Sequence, residues 1–504
     1  MGGSGPDEAD QLRRLALERQ AAGRFEDAYQ LLRRRALLTP KAPDAWADIA
    51  RCLDAARMPD DALKAWDAAL VLAPADPGLL VGKAGVLQGL GRAGEARVLL
   101  ARALQAAPDD AGVRMGLARL AIEAGDWTEA RRLAADLDGS RPESLWLAAR
   151  IALGQGELAI AADRAAALCG DPRLGPEQRA DALLLWADAL DRLGRPADAF
   201  QAAAEGKGLQ HRLFARVAAG REGAVARLER LNAWISQGPA WASPAETPRA
   251  AGEPRIHAFI LGFPRSGTTL LEQALAGHPE VVALEEPPTL AAAAAEFLSS
   301  PEGLARMARL SDADAARWRA RYFADVRALG AEPAGKVLVD KAPAETWSWP
   351  VIARLFPDAR ILFALRDPRD VVLSCFMSSF QINALTYAFT DLGETARTYG
   401  ACMTLAETCR ARLPLALAEV RHEALVEDFQ GGLKAVAAFL DLEMHPAMID
   451  IAATARRRAV RTPSAGELRR GLTTARLGRW RTYAEQLTSV LPLVDPWLDR
   501  LGYR

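Results

Sequence analysis

His257-Ala258-Phe259-Ile260-Leu261-Gly262-Phe263-Pro264-Arg265-Ser266-Gly267-Thr268-Thr269-Leu270-Leu271 is the stretch on which the reading of the chain turns. It opens as a short apolar run, the pattern of a buried strand, and passes through a turn bounded by Gly262 and Gly267. It then continues as Thr-Leu-Leu-Glu-Gln-Ala-Leu-Ala, helix formers with apolar residues at helical spacing. Strand, glycine turn and helix start in that order make an anion site. The turn amides point inward and the helix N-terminus carries partial positive charge. Arg265 and the hydroxyls of Ser266, Thr268 and Thr269 add donors. The stretch predicts a cradle for phosphate or sulfate.

The spacing Gly262-x-x-x-x-Gly267 is shared with nucleotide P-loops, but those carry Lys after the second glycine, where Thr268 stands here. Without that cation the loop lacks the grip on a terminal phosphate of ATP. As it stands, Pro264-Arg265-Ser266-Gly267-Thr268-Thr269 resembles the 5′-phosphosulfate loop of sulfotransferases, most closely the tyrosylprotein and related Golgi-type branch. The bland alternative is an ordinary tight strand-to-helix turn.

Working outward, 504 residues are enough for two or more domains. Acids and bases nearly cancel, at 64 and 63, for a net charge of -1, which argues against a nucleic-acid partner or an anionic membrane surface. No apolar stretch reaches the roughly 18 to 20 residues that span a bilayer. Residues 1–8, beginning Met-Gly-Gly-Ser-Gly, lack the build of a secretory signal and read as a flexible tail. Cys52, Cys169, Cys375, Cys402 and Cys409 are scattered without metal-ligand spacing and read as buried thiols, Cys402 and Cys409 on one helix face. A cytoplasmic location is expected.

The first half repeats. Pro40, Pro74, Pro108, Pro142 and Pro176 recur every 34 residues, the period of tetratricopeptide repeats. Ala28, Ala62, Ala96 and Ala130 keep the same period, and Ala199 returns with a one-residue slip. Trp46 and Ala50 fall in a first helix, and Ala62, Trp66 and Ala69 in a second: large and small residues that let paired helices pack closely. Gly23, Gly91, Gly125 and Gly194 open one recurring turn, and Gly154 and Gly156 disturb the unit between Pro142 and Pro176. Residues 9–210 are read as an all-α solenoid of about five to six repeats, carrying a protein- or peptide-binding concave face or serving as a scaffold. Residues 211–255 read as a connector, helical from Leu213 to Ile235 and then rich in Pro, Ala, Gly and Ser.

Residues 256–504 alternate strands and helices, the pattern of a three-layer α/β domain with a mostly parallel sheet. Val281-Val282-Ala283-Leu284 is a short strand that delivers Glu285-Glu286 at its carboxyl end, where open α/β sheets place chemistry. Residues 291–333 read as helical. Lys336-Val337-Leu338-Val339-Asp340-Lys341 is a strand ending in lysine, and Ala359 to Leu365 is a buried strand followed by Arg366 and a helix that holds Ser374. Arg at the strand end and Ser eight residues on can converge on one phosphate, the first by a forked donor, the second by a hydroxyl.

The resemblance extends through these motifs, from residue 256 to about 490. It implies that Glu286 is the catalytic base, with Glu285 as its alternate, and that Lys341 meets the bridging oxygen of the leaving phosphate. Asp340 replaces the family's usual Asn. Arg366 and Ser374 match the 3′-phosphate motif, and His422, in Arg421-His422-Glu423-Ala424-Leu425, takes the place of a tyrosine on the nucleotide side. Ser464, after Arg461-Thr462-Pro463, and Arg479, before Trp480, match a serine at the bridging sulfate and a basic cofactor ligand. With Arg265, Ser266, Gly267, Thr268 and Thr269 these complete the implied set. The implied donor is 3′-phosphoadenylyl sulfate, the implied product is adenosine 3′,5′-bisphosphate, and no metal is involved. The acceptor is a hydroxyl on a peptide (tyrosine included), a sugar or a small metabolite. Two rivals remain: a P-loop kinase or NTPase, and a repeat adaptor whose second domain is not catalytic.

Overall fold

The computed structural model describes residues 5–56, 58–238, 252–413, 415–458, 468–469 and 471–504. The chain divides into two compact units, Met1–Arg164 and Ala165–Arg504.

Among its described residues the regular structure of the first unit is all helical. Successive helices run Gly5–Ala21, Phe25–Leu38, Pro43–Ala55, Pro59–Leu72, Pro77–Gly89, Ala93–Ala106, Ala111–Ala124, Trp127–Ala134 and Pro142–Gln155. The in-phase alanines Ala28, Ala62, Ala96 and Ala130 are wholly buried. Close packing rests on large residues set into glycines: a Cβ on Gly82 would come within 2.2 Å of the Trp66 ring, and one on Gly154 within 2.4 Å of Trp127. Gly23, Gly91, Gly125 and Gly194 share φ near +75° (72°, 75°, 74° and 76°), a backbone that glycine adopts without strain. Each therefore closes the same turn.

The prolines behave less uniformly than their period suggests. Pro40, Pro74 and Pro108 lie in turns three residues ahead of helices that start at 43, 77 and 111. Pro142 and Pro176 instead open their helices at the first position, where a missing N–H costs nothing. The helix Trp127–Ala134 has 8 residues where Pro59–Leu72 and Ala93–Ala106 have 14, so the following helix begins early while the sequence period continues.

The second unit is built on a five-stranded sheet of order β2-β3-β1-β4-β5, with every pairing parallel. The strands are β1 (Ile256–Gly262), β2 (Val281–Glu285), β3 (Val337–Lys341), β4 (Arg360–Leu365) and β5 (Ala416–Arg421). Alternation along them separates two cores. Ala258, Ile260, Val337, Val339 and Leu362 pack on one face with Leu270, Leu271, Ala274 and Leu275 of the helix Thr268–Ala276. Phe259, Leu261, Leu338, Ile361 and Phe363 pack on the other. Sheet faces covered on both sides make the three layers expected, and explain why β1 reads as a continuous apolar run.

The closing pair of period-34 helices, Pro176–Arg192 and Pro196–Ala218, lies in this second unit. Leu184, Ala187, Leu190, Ala199, Ala202 and Ala203 join the core of Phe259 and Phe363. Lys207, wholly buried, donates to Ser378 O at 2.7 Å, and His211 Nδ1 stands 2.9 Å from Thr390 Oγ1. The sequence period places a boundary near residue 210; the compact units divide between Arg164 and Ala165. Helices Ala291–Leu298, Pro301–Ala308 and Asp312–Ala328 occupy the 291–333 stretch.

Candidate active site

β1 lies at the centre of the sheet, with β3 on one side and β4 on the other, so its carboxyl end is the switch point where α/β sheets gather ligands. It ends at Gly262, where a Cβ would meet Ala364 O of β4 at 2.6 Å. The loop that follows is strained at Arg265, whose φ of 72° is rare for a residue with a side chain. Gly267 (φ 94°) caps the helix Thr268–Ala276 without a side chain, and Ser266, Thr268 and Thr269 are buried around that helix start.

On the β4–β5 side the loop faces a cleft lined by Arg265, Gly267, Arg366, Ser374, His422 and Arg479 together with Arg476. Arg265 Nε donates to Ser374 Oγ at 2.9 Å, and Arg366 donates to Arg265 O at 3.2 Å and to Arg476 O at 2.7 Å. The donor-side residues implied by the resemblance are thus gathered at one place. Gly267 is required there, since a Cβ would come 2.4 Å from His422 Nδ1. Burial, then the charges of Arg366 and Arg265, depress the His422 pKa to about 3, so its imidazole is neutral at physiological pH. Its Nδ1 and the Arg366 Nε are buried without a hydrogen-bond partner. A buried guanidinium N–H without a partner, in a cationic cleft, fits a phosphorylated nucleotide.

On the β2–β3 side, Glu285 pairs in register with Lys341. Lys341, wholly buried, lies 2.9 Å from Glu286 Oε1 and 3.7 Å from Glu285 Oε1, and Glu286 N donates to Lys341 O at 3.0 Å. Strand alternation expects the two glutamates to point apart. They do not, because Glu286 has φ 51° and the chain kinks as it leaves β2. Asp340 faces away from this corner: its Oδ2 accepts from Tyr322 Oη at 2.7 Å and from Thr289 Oγ1 at 2.9 Å. Tyr322 Oη lies 3.0 Å from Nε2 of His257, whose pKa burial lowers to about 3.

Ser464 and the rest of 459–467 lie outside the described residues. Asp370, Arg476 and Asp191 are neighbours of this cleft that the sequence reading did not single out. Asp370 is one helical turn beyond Arg366, and its buried carboxylate accepts from the backbone N–H of Gly478 and of Trp480, each at 2.8 Å. Burial raises its pKa against the pull of Arg366. Asp191 holds Arg479 at 2.7 Å, across 288 residues of sequence, and no local motif announces it.

Residues 258–446 match the model of the sulfotransferase family, and residues 87–153 match the tetratricopeptide repeat. The chain is 32% identical over 202 residues to protein-tyrosine sulfotransferase 2 of Gallus gallus, an alignment covering 36% of this chain and 50% of that protein. It is 28% identical over 284 residues to nodulation protein NoeE of Sinorhizobium fredii, covering 49% of this chain and 65% of that protein. Among solved structures, the sulfotransferase domain from the Synechococcus PCC 7002 olefin synthase aligns at 23% identity and a TM-score of 0.30, over 49% of this chain and 98% of that one. The chain spans 33% to 65% of the length of the curated relatives it matches first. Both likenesses read from the motifs are borne out, in the expected order along the chain. Among the described residues no helix is long and apolar enough to cross a membrane.

Proposed function

We propose that the second unit transfers a sulfuryl group from 3′-phosphoadenylyl sulfate to an acceptor hydroxyl. The observation that carries this reading is the pairing of a cationic cleft, where Arg265, Arg366, Ser374 and neutral His422 meet, with a carboxylate–lysine corner at the neighbouring strand ends. When bound, the donor supplies an activated sulfuryl group and a phosphate leaving group. Glu286, half exposed, accepts the proton of the acceptor hydroxyl at its carboxylate, a role typically worth about 10²–10⁴-fold. Lys341 positions that carboxylate and keeps further N–H groups for an anionic oxygen. Arg265 and the helix start of Thr268 stabilise the negative charge on the sulfuryl group and the leaving phosphate, usually the larger contribution. Ser464 belongs to this set by its match alone.

Peptidyl tyrosine, a sugar and a small metabolite are all acceptors of the right chemistry, and in this reading the first unit offers a surface for a protein or peptide. The cysteines, all free, fit a reducing cytoplasm.

Calorimetry on the full chain tests the donor. Adenosine 3′,5′-bisphosphate should bind at least about tenfold more tightly than AMP, a difference of about 1.4 kcal/mol. Equal affinities would remove the 3′-phosphate from the assignment. Labelled donor with a cell extract would then identify the sulfated product.

A further inference from the structure

The helix Pro176–Arg192 has the period of the repeats, yet its last turn reaches the donor cleft. Asp191 Oδ1 accepts from Arg479 at 2.7 Å through Nη2 and at 3.1 Å through Nε. The same oxygen accepts from Tyr483 Oη at 2.5 Å, and the Arg479 guanidinium lies over the Tyr483 ring, 5.2 Å from its centroid. Both partners are nearly closed to solvent, the Arg479 and Asp191 side chains being 13% and 12% exposed. Arg476 Nη1 stands 3.9 Å from Asp191 Oδ2. Arg476 and Arg479 both line the cleft.

The segment carrying these two arginines is therefore held twice. Asp370 grips its backbone at Gly478 and Trp480 from one side, and Asp191 grips its side chains from the other. Arg366 closes the frame by donating to Arg476 O at 2.7 Å.

We infer that Asp191 is a positioning residue of the donor site: a carboxylate from the helix Pro176–Arg192 that fixes Arg479 in the lining of the cleft, ready for the nucleotide phosphates. The inference rests on the donor reading above. It also fixes the sign of the effect. A carboxylate beside a ligand-binding arginine can either hold it in place or compete for its charge. Burial decides between these outcomes, because a closed-in guanidinium deprived of its partner is strongly unfavourable and will leave for solvent. Losing Asp191 should thus weaken ligand binding. It follows that cutting away residues 9–210 as a repeat module would also remove part of the donor site.

The test is the affinity of full-length variants for adenosine 3′,5′-bisphosphate by calorimetry. Asp191→Asn should raise Kd about tenfold, and Asp191→Glu, which keeps the charge, should recover part of the loss. In an Arg479→Ala background the Asp191→Asn change should have almost no further effect, since the carboxylate acts through that arginine. Asp188→Asn is the control: its pairing with Arg476, at 4.0 Å on a 42% exposed carboxylate, should matter little. If Asp191→Asn does not fold, Asp191→Ser carries the same expectation. Wild-type affinity in the folded variant, tighter binding, or equal losses with and without Arg479 would each overturn the positioning role while leaving the donor reading intact. Failure of the unmodified chain to bind adenosine 3′,5′-bisphosphate would overturn both.

Discussion

The cleft beside β4 and the corner beside β2 lie at the carboxyl end of one parallel sheet, yet they are built on opposite principles. The cleft is a frame of arginines with their charges spread over backbone carbonyls, a serine, the buried Asp370 and the nearly buried Asp191, around a neutral histidine. The corner is a single buried lysine meeting two carboxylates, one on a left-handed backbone. Several charged donors in a fixed frame suit the grip of a polyanion that is the same in every turnover. One carboxylate that can take a proton, at the partly exposed rim, suits a step that must reset each time. In the proposed reading, binding and proton transfer are therefore separable, and substitutions should separate them.

Glu286→Gln should give the largest effect. It keeps shape and removes basicity, so kcat should fall by about 10²-fold or more, while the Kd for adenosine 3′,5′-bisphosphate stays within a small factor. Steady-state kinetics beside calorimetry would show it. A variant that loses nucleotide affinity as much as turnover would break the division between corner and cleft.

Gly267→Ala is the converse. The new methyl group would lie 2.4 Å from His422 Nδ1, on a backbone with φ 94° where a side chain costs of order 1–3 kcal/mol. The imidazole or the loop must move, and nucleotide affinity should drop about tenfold or more. Gly23→Ala, with φ 72° and no atom within 4 Å of the added Cβ, isolates the backbone strain in the first unit and should leave nucleotide affinity unchanged. Weakened binding in both variants would mean that global destabilisation, and not the cradle, is being measured.

These corners were legible from sequence to different depths. The loop 262–269, Arg366 and Ser374 could be read because each is a local phrase, a strand end followed by a helix start, and parallel pairing brings such phrases to one edge without further information. The repeats were legible for a similar reason, since Ala28, Ala62, Ala96 and Ala130 need only local helix packing. The proline phase carried on past the point where structure changed, because a shortened helix at 127–134 alters geometry while leaving the spacing intact. Asp191 could not be read, since its partner is 288 residues away. The direction of Glu286 could not be read either, since a single φ near 51° cancels the alternation on which such readings depend.

Glu285→Gln sharpens that last point. Alternation puts Glu285 on the far side of the strand, with much less effect on turnover than Glu286; its carboxylate in fact lies 3.7 Å from Lys341 Nζ. A smaller loss than for Glu286→Gln is expected, about 3- to 10-fold in kcat, through the lysine's charge rather than the proton. A fully inactive Glu285→Gln beside a competent Glu286→Gln would exchange the two roles.

The smallest effect concerns stability in acid, and it compares two buried histidines, one in the core and one in the cleft. His257 sits near the start of β1 and His422 at the cleft, and burial lowers both pKa values from 6.5 to about 3. Between those values the unfolded chain binds protons that the folded one refuses. Stability must therefore rise with pH across the window: it is complete above about 6.5 and lost progressively as pH falls toward 3. Thermal unfolding of the full chain should show Tm falling below pH 6.5. Replacing His422 with Gln should flatten that fall while shifting Tm little at pH 8, because its Nδ1 has no hydrogen-bond partner to lose. His257→Gln should flatten it too but lower Tm at every pH, since its Nε2 lies within hydrogen-bonding distance of Tyr322 and the ring packs against Phe259 and Phe356. An unchanged acid slope in the His422 variant would mean that the folded cleft does not depress this imidazole's pKa, and the histidine would then take up its proton as readily in the arginine frame as in the unfolded chain.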